Sequence, residues 1–213
     1  RNTIGVNATS EIGNLRLSGN LNYVNTAGAA VAAGQGLTVL NNLMQIPTDL
    51  DITGFQDYNS RFNNVSNYYT PYGITNPYFT LNENGTDYEK ERVYGSMEMS
   101  LKVNEWSDII YRFGLDQSST GIRFWEAIVD PLPGSPNFDS STEYPGSYAE
   151  ATSTEKQLNH DLLYDIDLDF GEEWQLQSTF GFNINTRQTT ALNAAVGSQN
   201  IPGFYSLSNS GED

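Results

Sequence analysis

The fold is decided by LNHDLLYDIDLDF at residues 158–170 and WQLQSTFGFNINTR at residues 174–187. Apolar and polar side chains alternate along both segments, which is typical of β-strands whose two faces meet different surroundings. The first segment begins near residue 154, and Leu163 is its one break in the alternation. Because only residues 171–173 separate the two segments, the sequence predicts an antiparallel hairpin.

Two more hairpins follow from the same alternation. Their strands are predicted at residues 3–9 with 15–25, and at 89–103 with 108–117. The connecting turns are short, at residues 11–14 and 104–107. The sequence therefore predicts an all-β, antiparallel up-and-down arrangement of about six strands.

The connections between the hairpins are long and lack sustained periodicity. They are rich in Asn, Ser, Gly, Pro and Tyr, and they lie near residues 26–88, 118–153 and 190–213. Within the first of them, residues 37–46 have the spacing of a short helix that begins near Thr38. Its apolar face would carry Leu37, Leu40, Leu43 and Met44.

Short turns alternating with long loops are typical of outer-membrane β-barrels, which have short periplasmic turns and long extracellular loops. Most of the predicted strands reach the 9–11 residues that a tilted membrane strand needs, whereas soluble strands usually have about 5–6. Trp106 and Trp174 lie beside short turns, where an aromatic girdle at the membrane interface would place them. The polar residues expected to line a water-filled lumen are Asp161, Asp165, Asp167, Asn183 and Asn185.

Alternation is also compatible with a soluble, secreted β-sandwich that binds glycans, in which the two tryptophans would close one end of the core. Strand length and turn chemistry favour the membrane hypothesis over this alternative. Six strands are fewer than the roughly eight of the smallest membrane barrels. On the membrane hypothesis, residues 1–213 are therefore part of one larger β-barrel domain.

The composition narrows the function classes. Ten Lys and Arg against 26 Asp and Glu give a net charge of −16, which excludes a general nucleic-acid binder. The chain has no cysteine, and its one histidine, His160, falls with the apolar set between Leu158 and Leu162. We therefore expect no catalytic residues, no metal site and no cofactor. An enzyme ranks last among the hypotheses, because no acid–base pair has a supporting context.

Several segments, in collinear order, resemble SusC-like TonB-dependent transporters of the Bacteroidetes outer membrane. NPYFTLNEN at residues 76–84 is the most specific, because barrel strands in general share only their alternation. It is followed by Glu91, Arg92 and residues 94–101. The other stretches are LSGNLNYVNT at 17–26, WSDIIYRFGLD at 106–116, residues 158–170 with 174–185, and IPGFYSLSNS at 201–210.

This resemblance implies a barrel of about 22 strands that imports glycan oligomers or peptides across the cell outer membrane. It also implies a SusD-like surface lipoprotein as a lid, and energy supplied by TonB through an N-terminal part. The plug domain and the N-terminal domains of such transporters are not found in this sequence. Energy coupling is therefore not assigned to any residue here.

The aromatic residues of the connections are the candidate contacts for a ligand or for the lid protein. Aromatic faces stack on sugars and on peptide side chains, while neighbouring amides donate and accept hydrogen bonds. The alternative is that these loops pack on one another. The candidates are Tyr68, Tyr69, Tyr72, Tyr78, Phe79, Trp125 and Tyr205.

Overall fold

A computed structural model of the chain describes residues 1–30, 38–68, 75–140, 143–171 and 173–211. Its described strands form one antiparallel sheet in the order β1-β2-β3-β4-β5-β6, which confirms the predicted up-and-down, all-β fold. The strands are β1 (Asn2–Ile12), β2 (Leu15–Ala30), β3 (Gly85–Asn104), β4 (Ser107–Glu126), β5 (Ser147–Phe170) and β6 (Trp174–Val196). The short helices are α1 (Val39–Met44), α2 (Pro77–Glu83) and a 3-10 turn at Ile52–Phe55.

The chain divides into two compact units. One, called here the sheet unit, contains Arg1–Ala27, Glu89–Thr120 and Thr152–Ala191. The other, called the connection unit, contains Gly28–Tyr88, Gly121–Ala151 and Leu192–Asp213. The sheet unit holds the segments in which the sequence alternates most regularly, and the connection unit holds most of the aperiodic sequence.

The pairing of β1 with β2 shows how the alternation becomes two different faces. Apolar residues are partners of one another, as in Val6 with Leu21, while Asn7 is the partner of Asn20. Partners across an antiparallel pair project to the same side, so each face keeps one character along the hairpin. Gly13, in the turn, has φ of 60°, a left-handed conformation that glycine adopts without strain.

The strands are longer than the alternation predicted. β5 begins at Ser147 rather than near residue 154, and β4 continues to Glu126 rather than ending at 117. The long connections are correspondingly shorter than the sequence suggested. Alternation requires two faces in contrasting environments. In the extra residues of β4, Ile122 and Phe124 fall on the side of the polar set and Arg123 on the side of the apolar set, so the alternation is lost there.

The connection unit has a largely polar interior. Its buried residues include Asn42, Asn76, Thr80 and Asn209, whereas the buried apolar residues of the described chain are few. Asn209 Nδ2, for example, donates to the carbonyl oxygens of Ile201 and Phe204. Side-chain amides thus provide the partners that irregular, buried backbone needs.

The predicted helix at 37–46 is present in shorter form as α1, and Thr38 caps it as expected, accepting a hydrogen bond from the Asn41 backbone N–H. The predicted apolar face is not the face that is buried. Leu40, Leu43 and Met44 are exposed, and Asn42 is fully buried instead. Leu37 lies outside the described residues. Among the described residues, no helix is long and apolar enough to span a membrane.

Candidate functional site

The polar side of the sheet unit, called here the polar face, is held by hydrogen bonds and ion pairs between neighbouring strands. Arg92 Nε in β3 donates to Asp116 Oδ1 in β4 at 2.8 Å. Arg112 Nε in β4 donates to Glu98 Oε2 in β3 at 2.7 Å. The amide of Asn20 donates to Ser96 Oγ at 2.7 Å, so the face extends to β2.

The five predicted lumen residues belong to β5 and β6, and most of them share one amide and carboxylate network. Asn183 Nδ2 donates to Asp161 Oδ1 and to Asn159 Oδ1, at 2.5 and 2.9 Å. Asn185 accepts a hydrogen bond from Gln157 and donates to Asn159. These contacts place Asp161, Asn183 and Asn185 on one side of the hairpin, and lining of a lumen by the five residues stays a prediction.

Asp165 and Asp167 border a cleft of about 540 Å³ near the short turns. Asp167 accepts hydrogen bonds from the side chains of Gln175 and Gln177. Asp165 has one buried carboxylate oxygen, Oδ1, without a hydrogen-bond partner. Trp106 lines the same cleft, and its carbonyl oxygen accepts from the Asp167 backbone N–H at 2.9 Å.

The opposite side of the same strands, called here the apolar face, is exposed in the chain by itself. Phe180 exposes 63% of its surface and Leu162 exposes 51%. Other exposed members are Ile4, Val6, Leu21, Met97, Met99, Leu101, Phe182 and Ile184. Of the two predicted girdle residues, Trp174 is exposed at the first residue of β6, whereas Trp106 lies in the turn before β4 and is exposed beside the cleft of the polar face.

His160 lies with the apolar set, where the alternation predicted it. Its Nδ1 is 2.8 Å from the hydroxyl of Tyr111. Its ring lies 5.1 Å from that of Phe113, measured between centroids. Within the described residues, no group of three or more His, Asp and Glu side chains is arranged to hold a metal ion.

Tyr68, a candidate ligand contact, is a packing residue of the connection unit. It is only 5% exposed, and its ring meets that of Phe55 edge-on at 5.6 Å. Its carbonyl oxygen accepts from the side-chain amide of Asn137 at 2.9 Å. Burial raises the pKa of the Tyr68 hydroxyl. Little of its ring remains for a ligand to contact.

Other predicted aromatic contacts also meet protein partners. The ring of Phe79 meets that of Tyr58 edge-on, with 6.0 Å between the ring centroids, and the rings of Trp125 and Tyr205 are also 6.0 Å apart between centroids. Tyr78 is half-buried on α2. Tyr69 and Tyr72 lie outside the described residues. The contacts agree with the alternative that these loops pack on one another, and ligand binding by any of the seven residues stays a prediction.

Sequence reasoning missed the buried and partly buried polar groups that hold the connections together. Glu126 accepts hydrogen bonds from Tyr144 and Ser147, at 2.6 and 2.9 Å. Burial, and next the hydrogen bond to Glu126, raise the pKa of Tyr144. Asn76 caps α2, and Pro77 follows it at the first helical position. The Asn-Pro pair was an available signal for a helix start, whereas Glu126 and Asn42 carried none.

Comparison with known proteins adds structural likeness but no family. No model of a known protein family matches the chain, and the comparison with curated proteins found no match either. Among solved structures, the chain is similar to one described as "Structure of the RagAB peptide importer in the 'open-open' state", with a TM-score of 0.68 and 14% sequence identity. The similarity covers 99% of this chain and 22% of that chain. This likeness supports the fold, an antiparallel up-and-down barrel segment, and the chain spans about a fifth of the importer's length.

Proposed function

We propose that this chain forms part of the wall of an outer-membrane β-barrel that imports a bulky nutrient, a peptide or a glycan oligomer. The observation that carries the proposal is the contrast between the two faces of one continuous sheet. Phe180 and Leu162 are exposed on one face, while Asp161, Asn183 and the Arg112–Glu98 ion pair occupy the other.

Lipid is the surrounding that suits the apolar face. Soluble monomeric proteins rarely expose contiguous apolar patches larger than a few hundred Å². Here large apolar side chains are exposed on adjacent strands from β1 to β6. In a bilayer these side chains meet acyl chains at no cost, and in water they would drive aggregation.

Water is the surrounding that suits the polar face. Its ion pairs are partly exposed, with Arg112 and Glu98 side chains at 50% and 41% of their full exposure. Buried without water, such charges would carry a desolvation cost that the pairing does not recover. A hydrated lumen removes that cost and leaves the polar side chains available to a passing solute.

The structural arrangement disfavours the soluble sandwich. A sandwich packs two sheets face to face with their apolar sides inward. All six described strands belong to one sheet, and its apolar face is exposed. The outer strands β1 and β6 each have one unpaired edge within the described residues, and in a closed barrel further strands would pair with these edges.

We extend the proposal to the transport cycle that the sequence resemblance implies. A SusD-like lipoprotein would cover the loop end, and TonB would act through an N-terminal part of the full-length protein. Exposed apolar side chains in the connection unit, among them Phe62 and Phe204, offer a surface for such a partner. The likeness to a peptide importer supports a peptide as the nutrient.

Membrane fractionation of cells that make the full-length protein tests the proposal. We expect the protein in the outer-membrane fraction, soluble only with detergent, and we expect cells to lose peptide uptake when its gene is deleted. A cytoplasmic-membrane protein of the same cells, followed through the same fractionation, serves as the control. A full-length protein that stays monodisperse in water without detergent would contradict the proposal.

A further inference from the structure

The polar face contains a second cleft, of about 260 Å³, that differs in charge from the rest of the chain. Eight residues line it, and four of them are basic: Lys90, Arg92, Lys156 and Arg187. At the chain's overall frequency of 10 basic residues in 213, fewer than one of the eight would be basic. Two acidic residues, Asp116 and Glu155, also line the cleft. A local basic excess in a chain of net charge −16 is not explained by the overall composition.

The two arginines of this cleft are held in place by carboxylates. Arg92 makes a two-point contact with Asp116 through Nε and Nη2. Its guanidinium also lies 4.8 Å from the centre of the Tyr94 ring. Arg187 Nη2 is 3.4 Å from Glu155 Oε1. These contacts fix the direction of both guanidinium groups before a ligand arrives, and they neutralise only part of the positive charge.

One lysine, Lys90, supplies the remaining charge, and among the described residues it forms no ion pair. Lys156 lies between Glu155 and Gln157 in β5, so its side chain projects to the opposite face. Lys90 is two residues from Arg92 in the same strand, so both project to one face. Gln157 and Ser118, also in the lining, add neutral hydrogen-bonding groups. The cleft thus combines an ammonium group outside any ion pair, oriented guanidinium groups and hydrogen-bonding side chains.

We infer that this cleft binds a carboxylate of a peptide cargo. Carboxylates accept from guanidinium and ammonium donors in the shorter, stronger class of hydrogen bonds. The volume of 260 Å³ is below the range typical of sites that enclose a whole ligand. It therefore suits one acidic residue or the C-terminal residue of a longer peptide. The inference rests on the proposed function, in which the polar face lines the lumen.

The spacing of the arginines supports a cargo of several residues. Arg92 lies in β3 and Arg187 in β6, three strand spacings apart, or roughly 14 Å along the sheet. An extended peptide covers that distance with about four residues. Acidic side chains separated by such a stretch could contact both guanidinium groups at once.

The test measures peptide binding to the full-length protein in detergent by titration calorimetry. The probe is an eight-residue peptide of glycine and three glutamates with a free C-terminus, compared with its glutamine analogue that ends in an amide. We expect the acidic peptide to bind at least tenfold more tightly at about 50 mM NaCl, and this preference to shrink at about 300 mM NaCl.

Paired variants assign the preference to the cleft. Lys90→Gln combined with Arg187→Gln should weaken binding of the acidic peptide at least tenfold and leave the neutral peptide unchanged. Arg16→Gln is the matched control, because Arg16 is also ion-paired and its side chain has the same 64% exposure as that of Arg187. Arg187→Lys should retain part of the preference, since it keeps the charge.

The outcomes separate this inference from the import proposal. Equal binding of the two peptides, or equal losses in Arg16→Gln and in the double variant, overturns the carboxylate cleft and leaves the import proposal standing. Binding of a galacturonic acid trisaccharide in place of the acidic peptide overturns the peptide assignment. Failure of the full-length protein to reach the outer membrane overturns the import proposal itself, and with it the lumenal cleft.

Discussion

Replacing Phe180 by arginine tests the lipid contact of the apolar face. Phe180 is six residues beyond Trp174, the first residue of β6. At about 3.3 Å per residue this is roughly 20 Å along the strand, or about 14 Å of depth for a strand tilted near 45°. The hydrocarbon layer is about 25–30 Å thick, so Phe180 would lie close to its midplane.

An arginine at that depth costs about 2–4 kcal/mol. Since 1.36 kcal/mol corresponds to a factor of ten, the folding equilibrium should shift by roughly 30-fold to 1,000-fold. The matched control is Thr179→Arg, because Thr179 is the neighbouring residue and lines the cleft on the polar face. There the new guanidinium would be hydrated, and we expect a change below about 1 kcal/mol.

The assay is urea-induced unfolding of the full-length protein from phospholipid vesicles, followed by the heat-dependent gel shift of folded barrels. Each variant is compared with the wild type at equal lipid composition. Equal costs at Phe180 and Thr179, or a larger cost at Thr179, would refute the assignment of the two faces.

Three further predictions concern the connection unit. Asn42→Ala should destabilise the connection unit locally by about 1–3 kcal/mol, because the fully buried amide donates to two threonine hydroxyls. Hydrogen exchange of residues 38–45 and 75–84 measures this local stability. Unchanged protection of their amides would contradict the prediction. Gly85→Ala should cost about 1–3 kcal/mol in thermal unfolding, because an added Cβ would overlap the indole ring of Trp125 at Cζ2. An unshifted melting curve would contradict this packing of the indole. Burial and a hydrogen bond raise the pKa of Tyr144, so the folded state holds this proton more tightly. The stability that this group contributes should be constant below pH about 10 and be lost above it, so stability should fall less at high pH in Tyr144→Phe than in the wild type.

The strand hairpins could be predicted because the two faces of the sheet differ in polarity, so apolar and polar residues alternate along each strand. Val6 and Leu21 alternate with Asn7 and Asn20 in sequence, and the structure pairs like with like. The tight turns were visible as breaks in that alternation. The register follows once the turns are fixed, because a slip of one residue would exchange the two faces.

The interior of the connection unit could not be predicted in the same way. It is built from amides such as Asn42 and Asn209, whose partners lie at irregular separations along the chain. Asparagine is frequent throughout the connections, so no position stands out in the sequence. For the same reason, the sequence left two roles open for aromatic residues such as Tyr68, ligand or lid contact and loop packing, and in the structure this side chain packs inside the unit.

The charged cleft was also not predicted from the sequence. Lys90, Asp116, Glu155 and Arg187 come from four strands, and only the register brings them together. Each residue by itself is an ordinary polar position in an alternating strand. A regular pattern therefore identifies which residues share a face. Which residues of neighbouring strands lie side by side on that face can be known only from the pairing of the strands.

The most direct test of the central claim is to measure which medium each successive side chain of β6 contacts. The chain has no cysteine of its own, so single cysteines at positions 179 to 184 can carry a nitroxide label in the full-length protein, within lipid vesicles. Power saturation then measures how often each nitroxide collides with oxygen, which concentrates in lipid, and how often it collides with a water-soluble nickel chelate. We predict oxygen maxima at 180, 182 and 184, and nickel maxima at 179, 181 and 183. Uniform collision rates, or nickel maxima at the even positions, would contradict the account.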